Sequence, residues 1–312
     1  MINDHVFKEG FTQSELSLFS ICPQKWNWRY NQLLKKRGAF SFALLVGSAF
    51  HSAMEQFYRG EQPTVVTLQF PDGVIPSQRD IETIEYWNVV LPHMVAAYAI
   101  YYKDDLLKFN VQSLERELEI EYRGFRIRGK IVLTLQNSDG SWIKDHKTTS
   151  KLNRDVVAGW DFRFQFMFYL WLCWKIGEHH KGYYINAVKK PELRIKKNES
   201  LQEFGFRVQQ DMLFEPEKYF YREAFPITKD ALQHFESSVV DHKLTKLTIA
   251  KNWPNPSQHP NVIIEDKNTD ECQRYGAPCE FIDLCRHGYE KMGGLYEKRE
   301  HKHEELEKES IE

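Results

Sequence analysis

The sequence predicts an α/β protein, with one mixed central sheet flanked by helices and helical additions at both ends. Three observations carry that prediction. Strand-like stretches, alternating apolar and polar residues from Gly129 on, lie within 111–147, and another strand follows at 183–188. Segments with apolar residues at helical spacing lie on either side of them. The 312 residues, 42% hydrophobic and 28% charged, suffice to bury a large core with the balance of an ordinary soluble globular chain.

In order along the chain, Thr12-Gln13-Ser14-Glu15 matches a capping box, followed by Leu16, Leu18, Phe19 and Ile21. A short helix there delivers Cys22, and Pro23 ends or bends it. Residues 47–58 read as a helix with Phe50, Met54 and Phe57 as its apolar stripe and His51 at the edge. Gly60, Pro63, Pro71, Gly73 and Pro76 make 59–80 a long connection. A helix over 81–102, kinked at Pro92, comes next. Two strands between Val111 and Leu135, divided at Arg123-Gly124, lead into a hairpin whose turn is Asn137-Ser138-Asp139-Gly140. Its second arm opens at Trp142 and ends on Asp145-His146-Lys147. Residues 163–175 are apolar almost all round, hence a buried helix, with Arg163 and Gln165 as polar exceptions. A strand at 183–188 precedes a basic loop. Residues 203–223 read as another strand and its connection, and 229–246 as an amphipathic helix. The segment 296–312 is highly charged, so a frayed helix or disorder is expected there. No internal repeat is present.

The hairpin end is the stretch with the most chemistry. Side chains on a strand alternate, so Asp145 and Lys147 face the same way. A carboxylate there can hold a divalent cation, and a neighbouring ammonium can orient a water or stabilise a developing oxyanion. The bland alternative is a surface ion pair of little worth.

Formal net charge is −2, so a polyanion would have to meet a local basic surface. Two are visible: Lys35-Lys36-Arg37, and Lys189-Lys190 with Arg194, Lys196 and Lys197. No apolar run is long enough to span a bilayer and the first residues lack a signal-peptide core, so a cytoplasmic protein without membrane contact is expected. Five cysteines in a reducing compartment point to metal or cluster ligation. Cys272, Cys279 and Cys285 fall within fourteen residues, interleaved with Gly276 and Pro278. Zinc and iron–sulfur clusters both want four soft ligands. Cys173 sits in an apolar helix, as an ordinary core thiol does. Cys22, at a helix end, is therefore the fourth. Spacing alone does not separate zinc from a cluster.

One remote N-terminal cysteine, a C-terminal cysteine triplet, a helix carrying His and a hairpin ending in Asp-x-Lys together resemble the RecB-like branch of the PD-(D/E)XK nuclease superfamily. The resemblance is narrowest to its iron–sulfur members: the AddB nuclease domain, CRISPR-adaptation nucleases and phage exonucleases. It runs from about Ser14 to Cys285. The resemblance implies a restriction-endonuclease-like core over about 40–225 within a single domain 1–292, with cluster-binding elements at about 12–30 and 270–290 and a tail from 293. It makes His51 in GSAFH a metal-binding histidine, Asp145 a metal ligand, Lys147 the catalytic lysine and the His146 backbone carbonyl a further ligand. Gln165 and Tyr169 match the Q-x-x-x-Y motif beside the site. Cys22, Cys272, Cys279 and Cys285 match the ligands of a [4Fe–4S] cluster that joins the two terminal segments. Arg163, Lys189 and Lys190 are the basic residues expected to meet DNA.

The family pattern G-x-I-D appears here as Gly129-Lys130-Ile131-Val132, so valine holds the position of a central metal-binding aspartate. Valine cannot coordinate a hard cation. A disabling substitution, a natural pseudo-nuclease, or replacement by Glu117 or Glu119 would each account for it. What the resemblance implies is an Mg²⁺- or Mn²⁺-dependent DNA nuclease, an exonuclease on ends or single strands, in a bacterial or phage setting with recombination or replication proteins as partners. Two rivals stand beside it: a catalytically dead DNA-binding or partner-binding module, and a zinc-stapled protein unrelated to nucleic acid.

Overall fold

The computed structural model describes residues 4–153, 156–157, 159–160, 163–252, 267–276, 278–303 and 306. After two short helices, α1 (Asp4–Lys8) and α2 (Gln13–Ile21), comes a turn of helix α3 (Pro23–Trp26) and a short strand β1 (Leu34–Lys36). Helices α4 (Phe42–Tyr58) and α5 (Gln78–Tyr101) follow, then the one-turn α6 (Asp105–Lys108). Strands β2 (Asn110–Tyr122), β3 (Phe125–Asn137) and β4 (Gly140–Thr149) run consecutively. Helix α7 (Phe164–Lys175) carries the chain across to β5 (Gly182–Lys189). Helices α8 (Leu201–Phe214) and α9 (Pro216–Tyr219) return it to β6 (Phe220–Pro226). The remainder includes α10 (Lys229–Phe235), α11 (Asp241–Asn252), α12 (Ile282–His287), α13 (Tyr289–Met292) and β7 (Tyr296–Lys298).

Five strands form one mixed sheet in the order β2-β3-β4-β5-β6, antiparallel throughout except for the parallel pair β4–β5. That parallel pair is what a crossover helix between two strands produces. The predicted mixed sheet flanked by helices is therefore present. Helix α7 belongs to one core layer, its Phe166, Met167, Leu170 and Trp171 packing with Ile127, Ile131, Ile143 and Ile185. Helices α4, α5 and α8 belong to a second, with Phe50, Met54, Met94, Tyr98 and Phe204 packed against Leu133, Leu135 and Val188. Among the described residues no helix is long and apolar enough to cross a membrane.

Local signals explain where most elements begin. Thr12 caps α2 by accepting from the Glu15 backbone N–H, but the Glu15 carboxylate, the other half of the expected box, turns inward to Trp26, Lys302 and His303. Pro92 lies inside α5, in a helix that continues past it. The predicted strand over 203–223 is a correction: 201–214 is helical. Ser200 and Glu203 form a reciprocal capping box, and Phe204, Val208 and Met212 recur every four residues and bury one face. The strand starts only at Phe220, after α9.

A second correction concerns the charged segment from Tyr296. Residues 296–298 form β7, which pairs antiparallel with β1 (Leu34↔Lys298, Lys36↔Tyr296). Lys302 is buried and ion-paired with Glu15 at 3.0 Å, while also donating to the carbonyls of Val6 and Gly10. Charge is high there because these side chains reach across to oppositely charged or carbonyl partners on the N-terminal segment. The rest of the expected tail, apart from Leu306, lies outside the described residues.

Beneath the sheet a buried polar network ties α4, α5 and α6 to β4, β5 and β6. Asp105 accepts both guanidinium arms of Arg222 (2.8 and 2.6 Å) and the Lys144 ammonium (2.9 Å), and Tyr58 donates to it. Asn186 donates to Tyr98 and accepts from Arg222, extending the network to β5. Burial, and then the neighbouring Arg222 charge, takes Lys144 down to about 7.

Candidate active site

β3 and β4 pair from the turn, Asn137↔Gly140, as far as Leu133↔Lys144, and the ladder stops there. The next positions in register are Val132 and Asp145. β4 continues on its other side against β5, Asp145↔Ile185 to Thr149↔Lys189. The sheet thus opens between β3 and β4 where the sequence places Asp145, His146 and Lys147.

Asp145 and Lys147 do meet: Nζ lies 2.6 Å from Asp145 Oδ2. The ammonium also donates to Gln165 Oε1 at 3.2 Å and lies over the Phe166 ring. Asp145 is only 4% exposed, and Lys147 is half-buried, so this is no loose surface pair. His51 arrives from α4. Its imidazole hydrogen-bonds the His146 backbone and feels the Asp145 carboxylate. Burial pushes His51 below its usual range against the pull of Asp145, which keeps the ring neutral with a lone pair to offer. The His146 side chain turns into the core among Phe50, Tyr58 and Tyr98. Burial holds it far below its usual range.

Gln165 reaches Lys147, and the Tyr169 ring stands against Gly129, because α7 lies directly on β3. Gly129 makes that approach possible: a Cβ there would stand 2.6 Å from Leu172 Cδ1 and 3.3 Å from the Tyr169 ring. Gly129→Ala is expected to cost about 1–3 kcal/mol through this overpacking, seen as a lower urea midpoint with an unchanged slope.

The expected substitutes for the missing acid go elsewhere. On β2, Glu117 stands opposite Lys130, Glu119 opposite Arg128 and Glu121 opposite Arg126. Glu117 pairs with Arg128, and Glu119 with both Arg126 and Arg128. The glutamate that register brings opposite Val132 is Glu115, between the pairs Leu114↔Leu133 and Arg116↔Ile131. Sequence alone could not single it out, because Glu115, Glu117, Glu119 and Glu121 recur at strand period and only register distinguishes them.

Cys22, Cys272, Cys279 and Cys285 line a single cavity with Lys25, Lys267 and Phe281. Burial raises the Cys279 and Cys285 thiols. Around them Arg29 and Lys25 pair with Glu280, and Lys36 with Asp283. Lys35 and Arg37 pair with Glu297, so the first basic cluster belongs to the joint between the two terminal segments. The second cluster stays outside: Arg194, Lys196 and Lys197 are exposed, just past the end of β5. Lys189 pairs with Glu192, and Lys190 lies over the Trp87 ring. Arg163 is exposed and donates to the Gly159 carbonyl.

Another group, missed in the sequence, gathers Cys173, Glu178 and His180 with ligand atoms within 4.8 Å of one another. Arg116 occupies both Glu178 oxygens, and Ser141 bonds His180 Nδ1 at 2.7 Å. A cation there would sit against a guanidinium, so the cluster is an ion-paired anchor for β2.

A carboxylate, a neutral imidazole and a backbone carbonyl, with a lysine alongside, gathered where a mixed sheet opens, define a site suited to a hard divalent cation and phosphoryl chemistry. A family model of the PD-(D/E)XK nuclease superfamily matches residues 10–286, and the chain belongs to that superfamily. No curated protein matches it. Among solved structures it is similar to a "putative exonuclease" from Eubacterium rectale, at 15% identity and a TM-score of 0.40, over 91% of this chain and 89% of that one.

Proposed function

We propose that the chain is a RecB-like, metal-dependent DNA nuclease of the iron–sulfur branch, an exonuclease acting on DNA ends or single strands. Residues 1–292 act as one domain. The observation that carries the reading is the constellation Asp145–Lys147–Gln165 with His51 on the His146 carbonyl, because those groups fit a hard cation and have no such need in a plain core. Asp145, His51 and the His146 carbonyl would hold Mg²⁺ or Mn²⁺. Such an ion supplies a more acidic bound water and neutralises charge building on phosphate. Lys147 orients the attacking water or meets the charge on phosphorus, and Gln165 fixes the Lys147 ammonium. Tyr169, on the same face of α7, lines the approach of the strand. The exposed basic loop Arg194, Lys196 and Lys197, with Lys189 and Lys190 and, from the start of α7, Arg163, offers a surface for the DNA backbone next to the strand ends that carry the site. Recombination or replication proteins are the partners that this reading implies.

Cys22, Cys272, Cys279 and Cys285 would hold a [4Fe–4S] cluster. The lining of one cavity by all four supports it. The purified protein is expected to be brown, with iron and broad visible absorbance. Bleaching by oxidation or chelation should lower its melting temperature, and an unchanged melting curve after complete iron loss would refute a structural role.

The rival reading, a DNA-binding module without activity, draws on Val132. An assay on linear single- and double-stranded DNA with Mn²⁺ decides between them, using the chain as it stands and Val132→Asp. Cleavage by either form supports a nuclease site. Binding without cleavage by both favours the module.

A further inference from the structure

We propose that Glu115 supplies the carboxylate that Val132 lacks, so that the acid of this site has moved from β3 to the neighbouring strand β2. The inference rests on the reading of the site as a metal-dependent nuclease centre, and it departs from the acids expected in the sequence.

Three observations meet on this residue. Register sets Glu115 opposite Val132, and the same count on the other side sets Val132 next to Asp145. The position flanked by Glu115 and Asp145 is the one where an aspartate is expected. Next, the glutamates of β2 form a ladder in which Glu117, Glu119 and Glu121 each face a basic residue directly across. Glu115 faces a valine instead, and reaches diagonally to Lys130 at 2.8 Å. Thirdly, Glu115 has φ +49°, a left-handed backbone inside a strand. The other non-glycine residues with positive φ, among those described, are Leu33 before β1 and Arg123 in the β2–β3 turn. Such a conformation in mid-strand bends the strand and re-aims a side chain, a device concentrated beside active sites. An ordinary Glu–Lys surface pair requires no such backbone.

The Glu115 and Lys130 side chains are 17% and 16% exposed, so the pair is sheltered from solvent. A cation drawn to Asp145 and His51 finds a second carboxylate on the neighbouring strand. The donor set becomes two carboxylates, one imidazole and one backbone carbonyl, of the oxygen-rich kind that Mg²⁺ and Mn²⁺ take.

The test is an Mn²⁺ titration followed by electron paramagnetic resonance, which reads binding without cleavage. The chain as it stands is expected to bind Mn²⁺. Glu115→Gln and Asp145→Asn should each weaken binding by more than about tenfold, a loss already reached by outer groups of metal sites. Adding Val132→Asp to Glu115→Gln should recover affinity, which a misfolded variant could not do. Mn²⁺-dependent DNA cleavage should follow the same order. Binding unchanged in Glu115→Gln but lost in Asp145→Asn would overturn the role of Glu115 and leave the nuclease site standing. Binding that appears only with Val132→Asp would do the same. If no form binds Mn²⁺, the site reading falls together with this inference.

Discussion

Lys147→Ala is expected to slow Mn²⁺-dependent DNA cleavage by about 10²–10³-fold, the usual loss for one group that stabilises transition-state charge, while Mn²⁺ affinity stays the same or tightens. The sign of the second effect follows from charge. Lys147 lies 2.6 Å from Asp145, so its ammonium competes with a cation for the same carboxylate. Removing it frees an oxygen for the ion and removes a group needed at the phosphorus. Asp145→Asn behaves differently, losing cleavage and affinity together, because the carboxylate is itself the ligand. Single-turnover cleavage paired with Mn²⁺ titration separates the two. A Lys147→Ala protein that cleaves at the parental rate would remove the lysine from the chemistry.

Asp105→Asn is expected to destabilise the fold by about 3–5 kcal/mol, the range for breaking a buried ion pair from one side. The substitution leaves Arg222 and Lys144, both buried or nearly so, facing an amide. Urea unfolding reads the loss. Lys144→Met should cost less, since the two-armed Arg222–Asp105 pair survives it and the methionine fills the space. The same network has a pH signature. Burial alone would raise the Asp105 carboxyl, but the Arg222 hydrogen bonds and the Lys144 charge outweigh it and hold the group at about 2, below the ordinary 3.8. The unfolded chain therefore takes up this proton first on acidification. Stability from Asp105, about 2 kcal/mol by linkage, is complete above about pH 4 and disappears as pH falls through 2. In Asp105→Asn that part of the acid dependence should vanish.

How far the molecule could be read in advance depended on whether the determining contact was local. The hairpin turn at Asn137–Gly140, the strands divided at Arg123-Gly124 and the apolar helix 164–175 are all encoded by neighbours in sequence, and each appears where expected. The pairing of Asp145 with Lys147, and of Lys147 with Gln165, follows from strand alternation and one crossover. In 201–214 the cap and four-residue spacing are local signals too, and they prevail over the extended conformation expected upstream of the strand at Phe220. Glu115 and the segment after Tyr296 could not be read locally. The first depends on register between two strands, and the second on partners near the opposite end of the chain. The Asp105 network joins α6, β4, β5 and β6, and nothing in any one of these marks its charged residue as buried.

The β1–β7 ribbon also bears on the order in which the chain folds. Its two strands come from opposite ends of the sequence, as do Glu15 and Lys302. Closing so long a loop costs chain entropy before any contact repays it, and topology of that kind slows folding. The central sheet is made of neighbours and can form while synthesis continues. The joint cannot, since residues 272–302 leave the ribosome long after Cys22. The four cysteines therefore come together only after Cys285 has been made. Until then Cys22 stays uncovered, and a pulse-labelling experiment on thiols during refolding should find Cys22 protected after Cys173 of the sheet core.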